Sequence, residues 1–293
     1  MTVTGFINVN KPVGLTSHDV VVQVRRHLKI AKVGHAGTLD PLADGVLVVC
    51  LGSATRLSEY VMQADKTYRA RVRLGIATDT YDAEGQVTAV QPAEHVQRDD
   101  VEQALRAFEG DVLQTPPAFS AIKQGGRKLY ERARAGEVVV PPLRPVRIVS
   151  LHIQDWSPPE LTIEVVCSAG TYIRSLAHDL GQALGVGAHL ASLTRMASGR
   201  FALADAVDLK TLLADTDWPK RVISPRAALA DWPSLQLTHD QVARVRHGQR
   251  LSLELADVGR TVLAYTEDGA LAAVLRFQDG WWHPDKVFLE GAG

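Results

Sequence analysis

The sequence predicts an α+β protein with a mixed, mainly antiparallel sheet flanked by helices and a small β-rich C-terminal domain. Three observations support this class. Residues 68–74 alternate between apolar side chains and arginines, as a half-buried strand does. Strands and helices alternate with hairpin-like turns, which favours a mixed sheet over regular βαβ units. Breaks at Trp218-Pro219, Pro225 and Trp232-Pro233 separate the last part of the chain from the rest.

The first elements are a strand over residues 5–10 and a helix capped by Ser17. The apolar face of that helix consists of Val20, Val21, Val24 and Leu28. A loop over 34–45 with several glycines then leads into an apolar strand over 46–51. The alternating strand 68–74 follows, with one core face and one basic face.

The middle of the chain predicts further strands and helices around a turn and an irregular basic segment. The turn covers 78–85, and the basic segment covers 116–134. The predicted strands span 86–90, 146–154 and 161–166, and the predicted helices span 99–108, 128–135 and a segment that begins within 168–174 and reaches about 184.

A small C-terminal domain is predicted from residue 233 onward. Thr238 and Gln241 form a capping-box pattern for a short helix that ends at Gly248, and short strands follow at 261–265 and 271–277. Sixty-one residues make a domain of marginal stability, so we expect it to pack on the larger one. The predicted domains are therefore 1–232 and 233–293.

Composition excludes several classes of protein. Apolar residues make up 46% and charged residues 22% of 293 residues, which is typical of globular proteins. No apolar run approaches the roughly 20 residues that a membrane span needs, and the N-terminus lacks a signal-peptide pattern, so we expect a cytoplasmic protein. Cys50 and Cys167 lie in or beside apolar strand-like runs without ligand spacing, which favours buried thiols over a metal site.

The charge is unevenly distributed although the formal net charge is only −1. Residues 121–150 carry seven Lys or Arg against two acids, and residues 1–82 carry ten against seven. Residues 83–120 reverse the sign, with seven acids against two bases. Two basic segments suit a partner that is anionic on one face, such as a nucleic acid, but codon usage that favours arginine explains them equally well.

The most informative stretch is the segment from Gly34 to Leu47, GHAGTLDPLADGVL. Its glycines and proline shape an exposed loop beside a buried strand, which is how proteins hold a reactive side chain rigidly. Asp40 is the candidate. By themselves, however, an Asp-Pro in such a loop indicates only a turn, and His35 indicates only a packed or exposed histidine.

Taken as a string, this segment resembles the signature of pseudouridine synthases of the tRNA pseudouridine-55 type, whose Gly-His-x-Gly-x-Leu-Asp-Pro loop bears the catalytic aspartate. Four further segments resemble motifs of the same family in the same order. They are NKPVGLTS (10–17), KTY (66–68), PAFSAIK with GRKLY (117–123 and 126–130) and GTYIRSL (170–176). The resemblance covers most of residues 5–200 and implies the pseudouridine synthase fold, with a PUA-like RNA-binding domain over 233–293.

The resemblance implies a role for each matching residue. It makes Asp40 the catalytic carboxylate, as nucleophile or as base, with Arg174 to keep it ionised and aimed. Tyr68 is the third catalytic candidate, stacking on the uracil and helping to remove the C5 proton; the alternative is a core tyrosine. The predicted substrate-binding residues are His35, Asp82, Tyr172 and Leu193, where His35 fills the gap left by a flipped base and Asp82 pairs with Arg174 unless it is a plain turn residue.

The expected partner is the T-arm stem-loop of tRNA, bound by a monomer that needs no guide RNA, metal or other cofactor. The chain lacks a Walker loop and a dinucleotide fingerprint, which agrees with an isomerisation that transfers no external group. The predicted RNA contacts, partly in an RNA-gripping insertion at about 110–145, are Lys11, Arg69, Arg71, Arg73, Lys123, Arg127, Lys128, Arg132 and Arg134.

Two other functions remain open at this point. A glycosidase-like hydrolase would pair Asp40 with Asp44 or Asp82, and it would release free uracil. A scaffold subunit or an RNA chaperone would bind RNA without turnover. The chain has no charged tail or partner-binding extension, which favours the enzyme over the scaffold.

Overall fold

The computed structural model describes residues 3–120, 122–135, 137, 139–255 and 259–289, apart from a few side chains between 123 and 134. The strands are β1 Gly5–Lys11, β2 Val33–His35, β3 Ala43–Leu51, β4 Lys66–Leu74, β5 Ile76–Thr78, β6 Val87–Val90, β7 Gly110–Gln114, β8 Lys123–Gln124, β9 Arg127–Lys128, β10 Arg144–Ser157, β11 Glu160–Cys167, β12 Ala188–Ser198, β13 Phe201–Ala202, β14 Val207–Asp208, β15 Ser234–Gln236, β16 Thr261–Tyr265, β17 Leu271–Gln278 and β18 Trp281–Val287. The helices are α1 Ser17–Leu28, α2 Ser58–Met62, α3 Arg98–Arg106, α4 Leu129–Arg134, α5 Ile173–Ala183, α6 Leu209–Ala214, α7 Pro225–Ala228 and α8 His239–Arg246. No helix in these ranges is long and apolar enough to cross a membrane.

A large mixed sheet organises residues 5–208. Its strand order is β14-β1-β3-β12-β4-β11-β10-β7, with β2 paired to β3 and β13 to β12. Most neighbours are antiparallel, while β12 runs parallel to β3 and β14 parallel to β1. The predicted α+β class with a mainly antiparallel sheet is confirmed.

The period-two pattern of β4 is confirmed. Buried and exposed residues alternate along this strand, with Tyr68 buried and Arg69, Arg71 and Arg73 exposed. The buried side faces a core shared with α3 and α5, to which Leu105 and Leu176 belong. The arginines therefore lie on the face of the sheet opposite Tyr68.

The predicted cap of α1 is wrong by one residue. Thr16 is the N-cap, because its side chain accepts a hydrogen bond from Asp19 N and the Asp19 side chain accepts one from the Thr16 backbone. Ser17 is the first helical residue and is turned inward, where it bonds to a different loop. The apolar face predicted for this helix is buried as expected.

Strand β12 was not predicted, although it lies at the centre of the sheet. Both of its neighbours in the sheet are strands. Its apolar residues do not alternate regularly, because His189, Ser192 and Thr194 interrupt them. Its pairing with β4 also shifts register between Leu190 and Ser192 and between Arg195 and Ala197, and such bulges interrupt the period-two alternation that reveals half-exposed strands. Sequence pattern therefore gave no sign of the strand that joins β3 to β4.

The C-terminal part is β-rich, as predicted. Its four-stranded sheet has the order β15-β16-β17-β18, and α8 begins with the predicted capping box at Thr238. Residues Leu263, Tyr265 and Val274 from this sheet share a buried cluster with Phe6 and other residues of the large sheet. The two sheets are therefore joined by a common core rather than by surface contact alone.

Candidate active site

The loop that carries Asp40 is fixed on both sides of that residue. Ser17 Oγ accepts a hydrogen bond from Leu39 N at 2.8 Å and donates one to Leu39 O at 3.0 Å. Beyond Asp40, Pro41 O accepts a hydrogen bond from Gly14 N at 2.8 Å. The start of α1 and the turn before it thus hold the backbone immediately before and after Asp40, as a preorganised catalytic side chain requires.

Arg174, at the start of α5, joins two carboxylates. Its Nε lies 3.0 Å from Asp40 Oδ2, and its Nη1 lies 3.2 Å from Asp82 Oδ2. The guanidinium also donates to the carbonyl oxygens of Thr80 and Phe119, at 3.3 and 3.2 Å. The Nε–H is not directed at Asp40, so their contact is an ion pair rather than the expected aligned hydrogen bond.

The two members of this ion pair differ in exposure. The Arg174 side chain is 8% exposed, whereas the Asp40 side chain is 38% exposed. A buried guanidinium needs compensating charge and hydrogen bonds, which the two carboxylates and two carbonyls supply. Asp40 can therefore interact with Arg174 on one side and with a substrate on the other.

Asp82 is fully engaged within the protein. Its Oδ1 accepts hydrogen bonds from Thr80 Oγ1 at 2.6 Å and from Glu84 N at 3.1 Å, and its Oδ2 accepts one from Arg174 at 3.2 Å. The residue is only 3% exposed. A carboxylate with both oxygens occupied has no position for a water molecule, so Asp82 is unsuited to be the second carboxylate of a hydrolase.

Tyr68 combines burial with proximity to charged groups. Burial raises the pKa of its phenol, and the nearby Asp40 carboxylate adds to that increase, while Arg195 opposes it. The phenol is therefore neutral at physiological pH. A neutral ring can stack on a base, but it must lose its own proton before it can accept one from C5, and this environment disfavours that loss.

Arg195, on β12, was missed by the sequence analysis. It is 1% exposed, and its Nε donates to Val46 O at 2.7 Å. Its Nη2 and Nη1 donate to Gly37 O at 3.0 Å and Thr38 O at 3.3 Å. One guanidinium thus ties the Asp40 loop to the strand that follows it. The residue lies two positions after Leu193, but a single arginine among small and polar residues gives no signal of burial.

Close approach between β3 and β12 makes this arrangement possible. Gly45 has φ +97°, and a Cβ at this position would lie 2.4 Å from Arg195 O. Only glycine combines that backbone conformation with such a contact. The glycine-rich character of the loop therefore reflects the packing of Arg195 as well as the turn that exposes Asp40.

The other predicted substrate-binding residues flank this centre. His35 ends β2, and burial lowers the pKa of its imidazole, whose Nδ1 has no hydrogen-bond partner in the described part of the chain. Leu193 pairs in register with Ala43 on one side and Ala70 on the other, and it is 8% exposed. Both residues lie on strands next to the Asp40 loop.

Tyr172 is the N-cap residue of α5 and lies two positions before Arg174. Gln114 holds its backbone by two hydrogen bonds, one to Tyr172 O at 2.9 Å and one from Tyr172 N at 2.8 Å. Burial raises the pKa of its phenol, and Asp40 adds to the effect. The structure thus brings Tyr68, Tyr172, Arg174 and Asp82 together around Asp40.

Lys11 does not have the geometry expected of a phosphate contact. The residue is fully buried, and its Nζ donates to Pro12 O at 2.8 Å and Leu15 O at 2.7 Å. Burial lowers the pKa of the ammonium to about 8, although Asp44 and Asp40 oppose the shift. Lys11 therefore stabilises the turn beside the Asp40 loop instead of facing solvent.

Among the predicted RNA-binding arginines, Arg69, Arg71, Arg73 and Arg127 are exposed and Arg132 is half-buried, and several of them are paired. Arg71 and Arg73 lie 3.4 and 3.6 Å from the carboxylate of Glu160. Arg127 and Arg132 both contact Glu137, at 2.8 and 2.7 Å. The side chains of Lys123, Lys128 and Arg134 lie outside the described part of the structure. Exposed ion pairs of this kind are weak enough to yield to a phosphate.

The cysteines are free buried thiols, as predicted. Burial raises the pKa of Cys50 to about 12 and that of Cys167 to about 11, so neither is a reactive thiolate near neutral pH. Within the described ranges, no group of three or more His, Cys, Asp or Glu side chains is placed to hold a metal ion.

Two family models match the chain. Residues 25–173 match the TruB family pseudouridylate synthase (N terminal domain), and residues 174–229 match the tRNA pseudouridylate synthase B C-terminal domain. A tRNA pseudouridine synthase B of Symbiobacterium thermophilum is 50% identical over 249 residues, 84% of this chain and 82% of that protein. One of Heliobacterium modesticaldum is 43% identical over 292 residues, covering 97% of this chain and 95% of its own length.

Two solved structures with the same fold are chains from larger complexes. A chain from an H/ACA RNP bound to a substrate RNA containing 2'-deoxyuridine is 27% identical, with a TM-score of 0.75, covering 97% of this chain and 85% of that one. A chain from a Cbf5-Nop10-Gar1 complex is 29% identical, with a TM-score of 0.74 and the same coverage.

Proposed function

The chain belongs to the TruB family of pseudouridylate synthases, and on this premise we propose that it converts the uridine at position 55, in the T loop of tRNA, to pseudouridine. It is a pseudouridine synthase, an isomerase that acts on uridine in tRNA. The T-loop target, the extrusion of the base and the roles of individual residues constitute the proposal.

The reaction requires one well-placed carboxylate rather than a cofactor. The bond from uracil N1 to ribose C1' breaks, the base turns, and C5 bonds to C1'; C5 then loses its proton and N1 gains one. Atoms and electrons balance without an oxidant or an external group. Asp40 acts in this sequence either as the nucleophile or as the base and electrostatic stabiliser, and both roles need an ionised side chain.

The observation that carries the proposal is the half-exposed carboxylate of Asp40 beside the buried guanidinium of Arg174, 3.0 Å away. The guanidinium places a fixed positive charge beside the carboxylate that either role uses. Ser17 and Arg195 hold the loop, which keeps the carboxylate in place before the substrate binds.

The surrounding side chains suit a base that has left its stack. Extrusion of a base costs a few kcal/mol, and stacking on an aromatic ring returns about 1–3 kcal/mol. We assign Tyr68 to the face of the uracil, with Tyr172 and Leu193 lining the pocket. His35 fills the gap that the extruded base leaves in the RNA.

The remainder of the proposal concerns RNA binding. Exposed arginines of β4 and of the segment 110–145 contact phosphates, and residues 233–293 form a PUA-like domain that adds contacts outside the T-arm. The protein acts in the cytoplasm as a monomer and without a guide RNA. The similar chains from H/ACA and Cbf5 complexes make guide dependence the alternative to test.

Asp40→Asn tests the catalytic assignment. Asparagine nearly preserves shape but removes the charge, so we expect the single-turnover rate to fall by orders of magnitude while RNA affinity is retained. The substrate is a guide-free T-arm transcript with tritium at uracil C5, because that hydrogen is released when C5 becomes the glycosidic carbon. Filter binding measures affinity in parallel.

Asp44→Asn is the control, since Asp44 lies four residues after Asp40 at the start of β3 and forms no ion pair with Arg174 in the described structure. It should retain most activity. If Asp40→Asn reacts within about tenfold of wild type, equivalent to about 1.4 kcal/mol in the barrier, Asp40 is not the catalytic carboxylate. Release of free uracil would instead indicate a hydrolase, and a requirement for added guide RNA would contradict independent action.

A further inference from the structure

Two aromatic rings stack at the edge of the candidate active site. Tyr81 immediately precedes Asp82, and His178 lies one helical turn after Arg174 on α5. The ring centroids of Tyr81 and His178 are 3.8 Å apart, and the planes differ by 17°. Residues four apart lie on one face of a helix, so Arg174 and His178 share a face of α5. The Arg174–Asp82 ion pair and the Tyr81–His178 stack therefore both connect the turn at 78–85 to that face.

The backbone of Tyr81 adopts an unusual conformation in this turn. Its φ is +64°, a left-handed value that is strained for a residue with a side chain. Tyr81 O also accepts a hydrogen bond from Leu190 N at 3.0 Å, and Ala83 N donates to Leu190 O at 3.0 Å. The conformation directs the Tyr81 ring toward α5 while the next residue, Asp82, faces Arg174.

His178 is held by packing rather than by polar contacts. Its Nδ1 is buried and has no hydrogen-bond partner among the described residues. Burial lowers the pKa of the imidazole, so the ring is neutral near pH 7. A neutral imidazole stacked on the tyrosine ring gains an aromatic interaction beyond the burial of its area, which helps to offset the strain in the turn.

We propose that the Tyr81–His178 stack is a positioning device for catalysis, which sets the turn that carries Asp82 and thereby orients Arg174 toward Asp40. Backbone hydrogen bonds to Leu190 hold the turn to β12, and the ion pair is then its one contact between side chains with α5. With the stack, two contacts fix its orientation. This inference rests on the proposed roles of Asp40 and Arg174, and it adds two residues that touch neither substrate nor the reacting atoms.

Four variants of the full chain separate positioning from folding. His178→Ala removes one ring, and Tyr81→Gly removes the other while allowing the left-handed φ without strain. The double variant completes a cycle, and His178→Phe restores an aromatic ring. His27→Ala, an exposed histidine on α1, is the matched control. Each variant is measured for single-turnover tritium release, T-arm affinity and melting temperature.

We expect His178→Ala and Tyr81→Gly each to slow the reaction by about tenfold or more, since small displacements of catalytic groups have effects of this size. T-arm affinity should be nearly unchanged, and the double variant should be no slower than the slower single variant. His178→Phe should restore the rate to within about threefold of wild type, because stacking on Tyr81 returns.

A full rate for His178→Ala at a temperature well below melting would overturn the inference. So would a His178→Phe variant as slow as His178→Ala, since the ring stack would then not be the relevant interaction. Asp40→Asn is measured alongside. An inactive Asp40→Asn with an unaffected His178→Ala rejects only the stack, whereas an active Asp40→Asn rejects the proposed function beneath it.

Discussion

At the scale of single residues, the environment of each side chain near Asp40 determines its chemistry. Arg174 is buried and Asp40 is half exposed, so the carboxylate is the charged group of this ion pair that a substrate can reach. The role of Asp40 could be predicted from sequence because the motif around it is one contiguous segment. The role of Arg195 could not be predicted, because its three carbonyl partners lie in a loop and a strand that are distant from it in sequence.

Arg195→Lys is predicted to slow the reaction. A lysine ammonium on a flexible stem cannot reproduce the planar set of donors that reaches Gly37, Thr38 and Val46 together. We expect a loss of about tenfold or more in single-turnover rate, with little change in T-arm affinity, because the Asp40 loop loosens.

Arg147→Lys, an exposed change on β10, is the control and should leave the rate intact. Partial rescue of an Arg195→Ala variant, whose short side chain leaves room for the ion, by guanidinium in the medium would support a local effect on the loop. An Arg195→Lys enzyme with wild-type rate would show that the loop is held sufficiently by Ser17 and by the turn before α1.

At the scale of elements, the spacing of apolar residues along the chain determined which strands and helices could be predicted. β4 alternates because one face is buried and one is exposed, and the helix α1 has a single apolar stripe, so both were predictable. β12 lies between two strands and is buried over much of its length, so its pattern is neither alternating nor uniformly apolar. The same burial is what places Leu193 and Arg195 beside the Asp40 loop.

Neutralising Arg69, Arg71 and Arg73 tests whether the exposed face of β4 binds RNA. For every phosphate that an arginine no longer neutralises, the log–log salt slope should become shallower, by an amount near the values of about 0.9 for B-form duplexes and about 0.7 for single strands. Because these arginines lie opposite Tyr68, we expect the effect with full tRNA rather than with an isolated T-arm. Filter binding across a salt series measures both.

Arg98→Gln with Arg106→Gln provides a comparison for charge alone, since these residues lie on α3 in the acidic segment. That pair should change the salt slope little. If the triple variant also leaves the slope unchanged for both RNAs, the basic face of β4 is a solvated surface. The ion pairs of Arg71 and Arg73 with Glu160 would then be the main interactions of this surface.

At the scale of the whole molecule, the C-terminal sheet is part of the core that supports the catalytic sheet. Arg56 donates a hydrogen bond to Val287 O at 2.7 Å, and the Tyr60 hydroxyl donates one to Asp285 Oδ2 at 3.5 Å. Lys286 forms an ion pair with Glu59. The composition break at residue 233 predicted a separate unit, but the depth of its packing depends on side chains that only the folded chain brings together.

Truncation after Trp232 therefore affects folding as well as RNA binding. It removes Leu263, Tyr265 and Val274 from a shared buried cluster. Burial of one large apolar side chain contributes about 1.5–3 kcal/mol, so the loss is comparable to the roughly 5–15 kcal/mol that stabilises a typical domain. We expect a large fall in melting temperature, measured by circular dichroism, and loss of T-arm modification through unfolding.

The RNA-binding role of residues 233–293 needs a variant that leaves this core intact. Arg246 and Arg250 are exposed, and the Arg250 guanidinium lies over the Trp281 ring at 4.1 Å, away from the shared cluster. We expect Arg246→Gln with Arg250→Gln to keep the melting temperature and the rate on an isolated T-arm, but to bind full tRNA less tightly and with a smaller salt slope. Equal affinity of wild type and this variant for full tRNA would mean that this surface does not bind RNA. A truncated chain that melted like wild type would likewise contradict the shared core as the main link between the two sheets.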